Sequence, residues 1–432
     1  MNIRFYNAKI LQLAEDDSLY IIEGELWVKG CEICYIGDGS DSEEVLRALG
    51  PIVWERQIDA GGNLLMPGFK NAHTHTSMTF LRSYADDLPL QDWLFRQVFP
   101  KEEQLTPEII YDLDILGIME YLTSGITSNF DMYYFPPENA KASVDTGFRT
   151  VQCAGINDYG GTLELIEENL HIVNGMSDLV SYMVGLHGEY TTSMELMEGV
   201  ASLAQKYKSP VYMHNGETKS EYEDCIRRHG MTPTQITEKL GMYEYGGGGF
   251  HCVYIDEKDI EIFQRHNMSV VTNPSSNLKL ASGIAPVKRF VDAKVNVAIG
   301  TDGAASNNCL DMFREMFLVS GLAKVREMDA ECIHADRVLY MATAGGAKAM
   351  GLYDCDRLAP GKKADLIMID LQQPNMQPEN NIIKNIVYSG SKQNVALTMV
   401  NGKILYENHE FFIGFDPKEV YRRANEIIRS MH

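Results

Sequence analysis

An α/β fold, a (β/α)₈ barrel with a small β-sandwich built from both chain ends, is what this sequence predicts, and three observations carry that prediction. Eight short apolar runs alternate with helix-like stretches through the middle of the chain. Polar residues able to do chemistry stand where those runs end. The two chain ends share a different pattern, of short strands separated by tight turns.

Taken in order, residues 1–65 alternate apolar and polar positions between Gly and Asp turns, as in Leu26-Trp27-Val28 before Lys29-Gly30 and Tyr35-Ile36 before Gly37-Asp38-Gly39. The pattern returns late in the chain, where Pro360-Gly361 precedes the apolar run 366–369 and Asn401-Gly402 makes a hairpin turn before Lys403-Ile404-Leu405. A composite sandwich domain is therefore expected from 1–65 with 355–432, and a barrel domain from 66–354. The expected barrel strands are 64–69, 125–130, 148–155, 182–186, 210–213, 250–255, 268–272 and 295–299. Segments 107–122, 193–207, 256–266 and 307–324 between them carry apolar residues at helical spacing. The glycine run 246–249 lacks the Lys-Ser or Lys-Thr of a phosphate loop and is expected to be a flexible loop entering the sixth strand. The charged segment 417–429 reads as a solvated amphipathic helix.

Composition excludes several classes of function. Across 432 residues, 60 Asp and Glu against 38 Lys and Arg leave a net charge of −22, which repels phosphate backbones and anionic membrane surfaces. No run approaches the roughly 18 apolar residues of a membrane span, and the N-terminus lacks the apolar core of a signal peptide. Eight thinly spread cysteines are not a disulfide framework and point to a reducing cytoplasm. Cys31 and Cys34 form a lone C-x-x-C flanked by strand residues, read as two half-buried strand cysteines.

The chemistry begins at His73 and His75. At a strand end, residues i and i+2 point to the same side, so both imidazoles can reach one ion. His214 ends the fifth run, and Asp302 follows the eighth in Ile299-Gly300-Thr301-Asp302. Together these residues offer one divalent metal three imidazoles and a carboxylate, with a position left for water. Zn²⁺ suits that set, and Fe²⁺ or another transition metal matches the same ligand types. Glu217, three residues after His214, is placed to ferry a proton, His251 to orient the nucleophile, and Asp302 to act both as ligand and as proton acceptor. His171, His229, His266, His334 and His409 end no expected barrel strand and are read as ordinary histidines.

The motifs PGFKNAHTHTSMTFLRSYADDLPLQDWL (67–94), GITSNFDMY (125–133), HNGET (214–218), HCVYIDE (251–257), NPSSNLKLASGIAPV (273–287), GTDGAASNN (300–308) and APGKKADLIMID (359–370) cover nearly the whole chain. With them the chain resembles the amidohydrolase superfamily, and within it the 5′-methylthioadenosine/S-adenosylhomocysteine deaminases of the mononuclear branch. The resemblance implies metal ligation by His73, His75, His214 and Asp302, with Glu217 and His251 as the acid/base pair. It also implies a substrate site that includes His214, with Trp93 near a bound purine, Glu102 on ribose hydroxyls and His187 lining the pocket. A carboxylate suits a vicinal diol because it accepts two hydrogen bonds at once. Relatives that take S-adenosylhomocysteine carry an arginine after the third strand, where this chain has Ala154 and no arginine in 156–169. The fourth strand end reads His187-Gly188-Glu189-Tyr190, and Glu189 adds an acid near the rim.

The expected activity is hydrolytic deamination of an adenine nucleoside by a cytoplasmic homo-oligomer that acts on a small molecule. Two other enzyme readings keep the site and change the ring: deamination of guanine, a pterin or another aminated heterocycle, or displacement of chloride from a triazine. A dinuclear cyclic-amide hydrolase needs a bridging lysine at the fourth strand end, and 182–190 contains none. An inactive relative acting as a scaffold is expected to have lost ligands or acid/base residues, and this chain keeps all of them.

Overall fold

The computed structural model describes residues 1–40, 42–88 and 90–431. The chain is mixed α/β, with two parallel sheets in its middle. β1 (Phe69–Thr74), β2 (Ile126–Asp131), β3 (Arg149–Cys153) and β4 (Val180–Met183) pair in chain order in the first. β5 (Gly185–Gly188), β6 (Val211–Asn215), β7 (Gly247–His251), β8 (Ser269–Thr272) and β9 (Asn296–Ile299) pair in chain order in the second. Parallel neighbours need long crossovers, and helices such as Pro107–Thr123, Leu163–Asn174, Met194–Tyr207 and Glu257–Arg265 supply them.

Residue Val184 alone separates β4 from β5. At the other edge β9 lies beside β1, where side chains replace the ladder. Asn71 accepts from the Thr301 backbone at 2.8 Å and donates to the Thr301 hydroxyl at 2.7 Å, while the Asp302 N–H reaches the His73 carbonyl at 3.0 Å. Ala72, Phe130, Val151, Tyr212, Phe250, Val271 and Ala298 pack together within the strands, while a larger apolar layer joins strands to helices. Burial on both faces explains why these runs read as apolar rather than alternating.

Local signals agree with the helices. Thr106 caps Pro107–Thr123 by accepting from the Ile109 N–H, and Asp256 with Asp259 forms a reciprocal capping box on Glu257–Arg265. That second helix buries Ile260, Ile262 and Phe263 against the sheet side.

The chain ends combine in one nine-stranded sheet, ordered Glu410–Phe411, Lys403–Glu407, Val395–Val400, Leu366–Ile369, Leu64–Pro67, Asn2–Leu13, Leu19–Lys29, Glu32–Gly37, with Arg56–Asp59 on Asn2–Leu13. Asn401 and Gly402 turn the late hairpin with φ of 49° and 73°. The sheet is fastened to β3 by a buried pair: Arg149 Nε donates to Asp365 Oδ2 at 2.7 Å.

Two expected strands are corrected. The run 64–69 is two elements: Leu64–Pro67 pairs with Leu366–Ile369 in the terminal sheet, and β1 starts only at Phe69. Gly68 marks the break, because a Cβ there would lie 2.0 Å from the Thr127 side chain. The glycines 247–249 are not a loop but most of β7, which ends at His251. A Cβ on Gly247 would lie 2.0 Å from the Val211 carbonyl, so β6 and β7 approach closely because side chains are missing there. Among the described residues, no helix is long and apolar enough to cross a membrane. The cysteines are free thiols, and Cys34 donates weakly to the Trp27 carbonyl at 3.5 Å.

Candidate metal centre and substrate cavity

The ends of β1, β6, β7 and β9 bring His73, His75, His214, His251 and Asp302 together. His73, His75 and His214 form one group whose ligand-capable atoms lie within 4.8 Å of one another, and His73, His251 and Asp302 form a second. Asp302 Oδ1 stands 3.3 Å from His75 Nε2 and 3.7 Å from His73 Nε2. Ligand atoms on a tetrahedral Zn²⁺ sit about 3.3–3.5 Å apart, given bonds of about 2.0–2.1 Å. The residues fit such an ion, and His73 makes the case most sharply. It is fully buried, stacked at 3.8 Å on Phe250, and neither ring nitrogen has a hydrogen-bond partner. An unsatisfied buried imidazole is costly unless something outside the protein takes its lone pair.

Second partners orient the other rings. His75 Nδ1 donates to the Met132 carbonyl and His214 Nδ1 to the His187 carbonyl, each at 2.6 Å. Both contacts leave Nε2 free to bind a metal. His251 Nδ1 donates to Asn277 Oδ1 at 2.8 Å, turning its Nε2 toward Glu217 Oε2 at 3.8 Å and Asp302 Oδ2 at 3.9 Å. His251 and Asp302 hold φ of 67° and 60°, a left-handed backbone that non-glycine residues rarely adopt and that concentrates at working sites.

The carboxylates are driven apart. Burial holds Glu217 above the usual range, with Asp302 adding to the rise. Burial also pushes Asp302 upward, but His75 and His251 outweigh it and hold this group below its ordinary value. One carboxyl that takes up a proton readily beside one that sheds it is the arrangement that proton transfer requires. Burial and the neighbouring histidines hold His73 and His214 well below the imidazole range, so both are neutral and able to ligate.

These groups open into a cavity of about 170 Å³. Trp93, Glu102 and His187 all line it. Glu102 is buried and accepts from Tyr133 Oη at 2.6 Å. His187 Nδ1 contacts the Thr191 hydroxyl at 2.8 Å. Glu189 is not a rim acid: it is 3% exposed, does not line the cavity, and is held by Arg228 at 2.5 Å and His229 at 3.0 Å. A buried carboxylate is retained when paired, and both partners end the helix Lys219–His229. Ala154 lies in the core, while Gly155 and Ile156 beside it face the cavity.

Sequence reasoning missed Asn277, Tyr133 and Glu221. Glu221 accepts from the Gly216 and Glu217 N–H groups at 2.9 and 2.8 Å, so it shapes the turn that presents Glu217. Its signal was legible as the capping box Thr218-x-x-Glu221. Nothing local marks Asn277 or Tyr133, whose partners lie 26 and 31 residues away.

The pattern that defines the amidohydrolase family matches residues 64–405. A 5-methylthioadenosine/S-adenosylhomocysteine deaminase of Caldicellulosiruptor saccharolyticus is 38% identical over 408 residues, covering 94% of this chain and 93% of its own. A 5′-deoxyadenosine deaminase of Methanobrevibacter smithii is 37% identical over 419 residues, covering 95% and 94%. Among solved structures, an adenosine deaminase from Xanthomonas campestris with bound zinc superposes with a TM-score of 0.92 at 30% identity, covering 100% of this chain and 98% of that one. With a family match across most of its length and relatives this similar end to end, the chain belongs to the amidohydrolase family.

Proposed function

We propose that this chain is a metal-dependent aminohydrolase that converts the 6-amino group of an adenine nucleoside to a carbonyl and releases ammonia. The observation that carries the reading is the convergence of Glu217 Oε2 and Asp302 Oδ2 on His251 Nε2, at 3.8 and 3.9 Å, at the edge of a cavity lined by a buried Glu102. Relatives named for deamination of adenine nucleosides support it.

His73, His75, His214 and Asp302 are the residues that would hold one divalent ion, zinc by donor type. When bound, that ion supplies a Lewis acid that makes water acidic enough to act as a nucleophile near neutral pH. The attacking water gives one proton to Glu217, which hands it to the ring nitrogen beside the reacting carbon. Asp302 accepts the remaining hydroxyl proton of the tetrahedral adduct and delivers it to the amino group, which leaves as ammonia. His251, oriented by Asn277, directs Nε2 at both carboxylates and orients the water. Trp93 packs against the base, His187 bounds the pocket, and Glu102 accepts from the ribose hydroxyls while Tyr133 fixes its position.

The two parallel sheets are read as one (β/α)₈ barrel spanning 66–354, with β4 and β5 a single strand broken at Val184. The bonds from Asn71 and His73 to Thr301 and Asp302 support closure. The nine-stranded sheet, which has its own apolar cluster, is read as the composite sandwich of 1–65 and 355–432. Free thiols along the chain support a reducing compartment such as the cytoplasm.

Ammonia release by zinc-loaded protein across a panel of purine nucleosides, guanine, pterins and triazines tests the reading. Release from adenine nucleosides is the expected result, and none from any of them sinks it.

A further inference from the structure

Glu315 takes no part in the chemistry described above and does not line the cavity, yet it is a fully buried carboxylate on the helix Met312–Glu327. Burying such a group is costly unless donors match its oxygens. Two donors do, and each comes from a different segment of the site. Oε2 accepts from the Ser275 N–H at 3.0 Å, and Oε1 accepts from Asn307 Nδ2 at 2.9 Å. Burial pushes this carboxyl up to about 7, and Ser275 and Asn307 hold it down more than the neighbouring Arg314 does.

Each of the two segments carries a working group close by. Ser275 lies in the first turn of the short helix Pro274–Lys279, which also bears Asn277, the acceptor of His251 Nδ1. Asn307 Nδ2 also donates to the Thr301 carbonyl at 2.6 Å, and Thr301 directly precedes Asp302. The Asp302 backbone is left-handed at φ of 60°, a conformation that persists only where surrounding contacts over-determine it. One carboxylate thus spans from the element that orients His251 to the backbone that presents Asp302, whose Oδ2 stands 3.9 Å from His251 Nε2. An apolar side chain of the same size would leave the buried Ser275 N–H without its acceptor and free Asn307 to turn.

We propose that Glu315 is a positioning residue for the deamination: by bridging Ser275 and Asn307 it holds Asn277, and through it His251, in register with Asp302. The proposal rests on the deaminase reading for the roles of His251 and Asp302, and adds the residue that sets their mutual geometry. Gln has nearly the same shape as Glu, but its amide turns an N–H toward one of the two donors. Glu315→Gln therefore breaks the bridge on one side without opening a cavity.

The test compares zinc-loaded wild-type protein with Glu315→Gln, Asn277→Ala and the double variant. Glu315→Gln is expected to lower kcat about 10- to 100-fold, the cost of misplacing reacting groups, with KM within about threefold of wild type and zinc content unchanged. Because both changes act through His251, Asn277→Ala should cost at least about threefold less in the Glu315→Gln background than in wild type. Equal cost in the two backgrounds overturns the proposal, as does a fall in kcat matched by lost zinc. A heteronuclear NMR spectrum of the histidine side chains reads the geometry without turnover. The His251 Nδ1–H signal is the one that Asn277→Ala removes, and it should shift in Glu315→Gln. An unchanged signal overturns the proposal. A shifted signal in a protein whose wild type releases no ammonia upholds the bridge and sinks the deaminase reading alone. If Glu315→Gln does not fold, Asn307→Ala cuts the bridge from its other end, and wild-type kcat or an unshifted signal there overturns the proposal.

Discussion

Tyr133 Oη donates a 2.6 Å hydrogen bond to Glu102 Oε1 inside the cavity wall, joining residues 31 positions apart. The tyrosine consumes one acceptor site of the carboxylate and fixes its plane, while the remaining lone pairs stay available to a diol. Glu102→Gln keeps the shape and removes the charge. It is expected to lower kcat/KM for an adenine nucleoside by about 10- to 100-fold, mainly through KM, since charge-assisted bonds are worth about 1.5–3 kcal/mol. The same change should leave any activity on a free base nearly unaltered. Steady-state kinetics on a nucleoside and on its base check the contrast.

The contact between His251 and Asn277 separates a positioning role from a chemical one. Asn277→Ala removes the acceptor at 2.8 Å that sets the ring tautomer, and kcat should fall about 10- to 100-fold while bound zinc stays unchanged. Glu217→Gln should cost about 10²- to 10⁴-fold, the range for loss of a general acid/base. Zinc content by elemental analysis beside kcat measures both, and loss of zinc from either variant contradicts the assigned roles.

Removing metal should be felt in stability as well as in rate. His73 is buried with both nitrogens unpartnered, so a chelated protein carries that cost uncompensated. Chelation is expected to abolish ammonia release and lower Tm, and one equivalent of Zn²⁺ to restore both. His73→Ala should bind less than one equivalent and show no Tm response to added zinc.

The buried pair that joins β3 to the terminal sheet makes acid stability predictable. Burial pushes Asp365 upward, yet Arg149 and Lys70 outweigh it and hold the carboxyl below its ordinary value. A depressed folded pKa means that this group's stabilisation is fully present above the unfolded value of 3.8 and is lost as pH falls through the lower folded value. Asp365→Asn leaves Arg149 buried without its counter-charge and should cost about 3–5 kcal/mol at neutral pH. In denaturant melts of both proteins from pH 7 down to about pH 3, the stability gap should begin to narrow below the unfolded value of 3.8.

The alternation of apolar runs with helical spacing was legible because each parallel strand is buried on both faces and each helix must cover it. The same logic made the candidate ligands legible. Parallel strands point their C-terminal ends the same way, so His73, His75, His214 and Asp302 could be predicted to share a rim from their places after apolar runs, whereas His251 lies inside the expected run 250–255 and only the observed strand Gly247–His251 puts it at an end. Boundaries were less readable. An apolar run such as 64–69 does not say which sheet it joins, and glycines 247–249 look like a loop until the close approach of β6 is known.

What the sequence by itself determined is the periodicity and the order of chemical groups along the chain, both of which are local properties. Tertiary structure decided which groups touch: Asn277 on His251, Tyr133 on Glu102, Arg149 on an aspartate 216 residues away, and Glu189 withdrawn from the cavity by Arg228 and His229. Those contacts depend on strand register and on which side chains lose water, and neither is encoded in any short window.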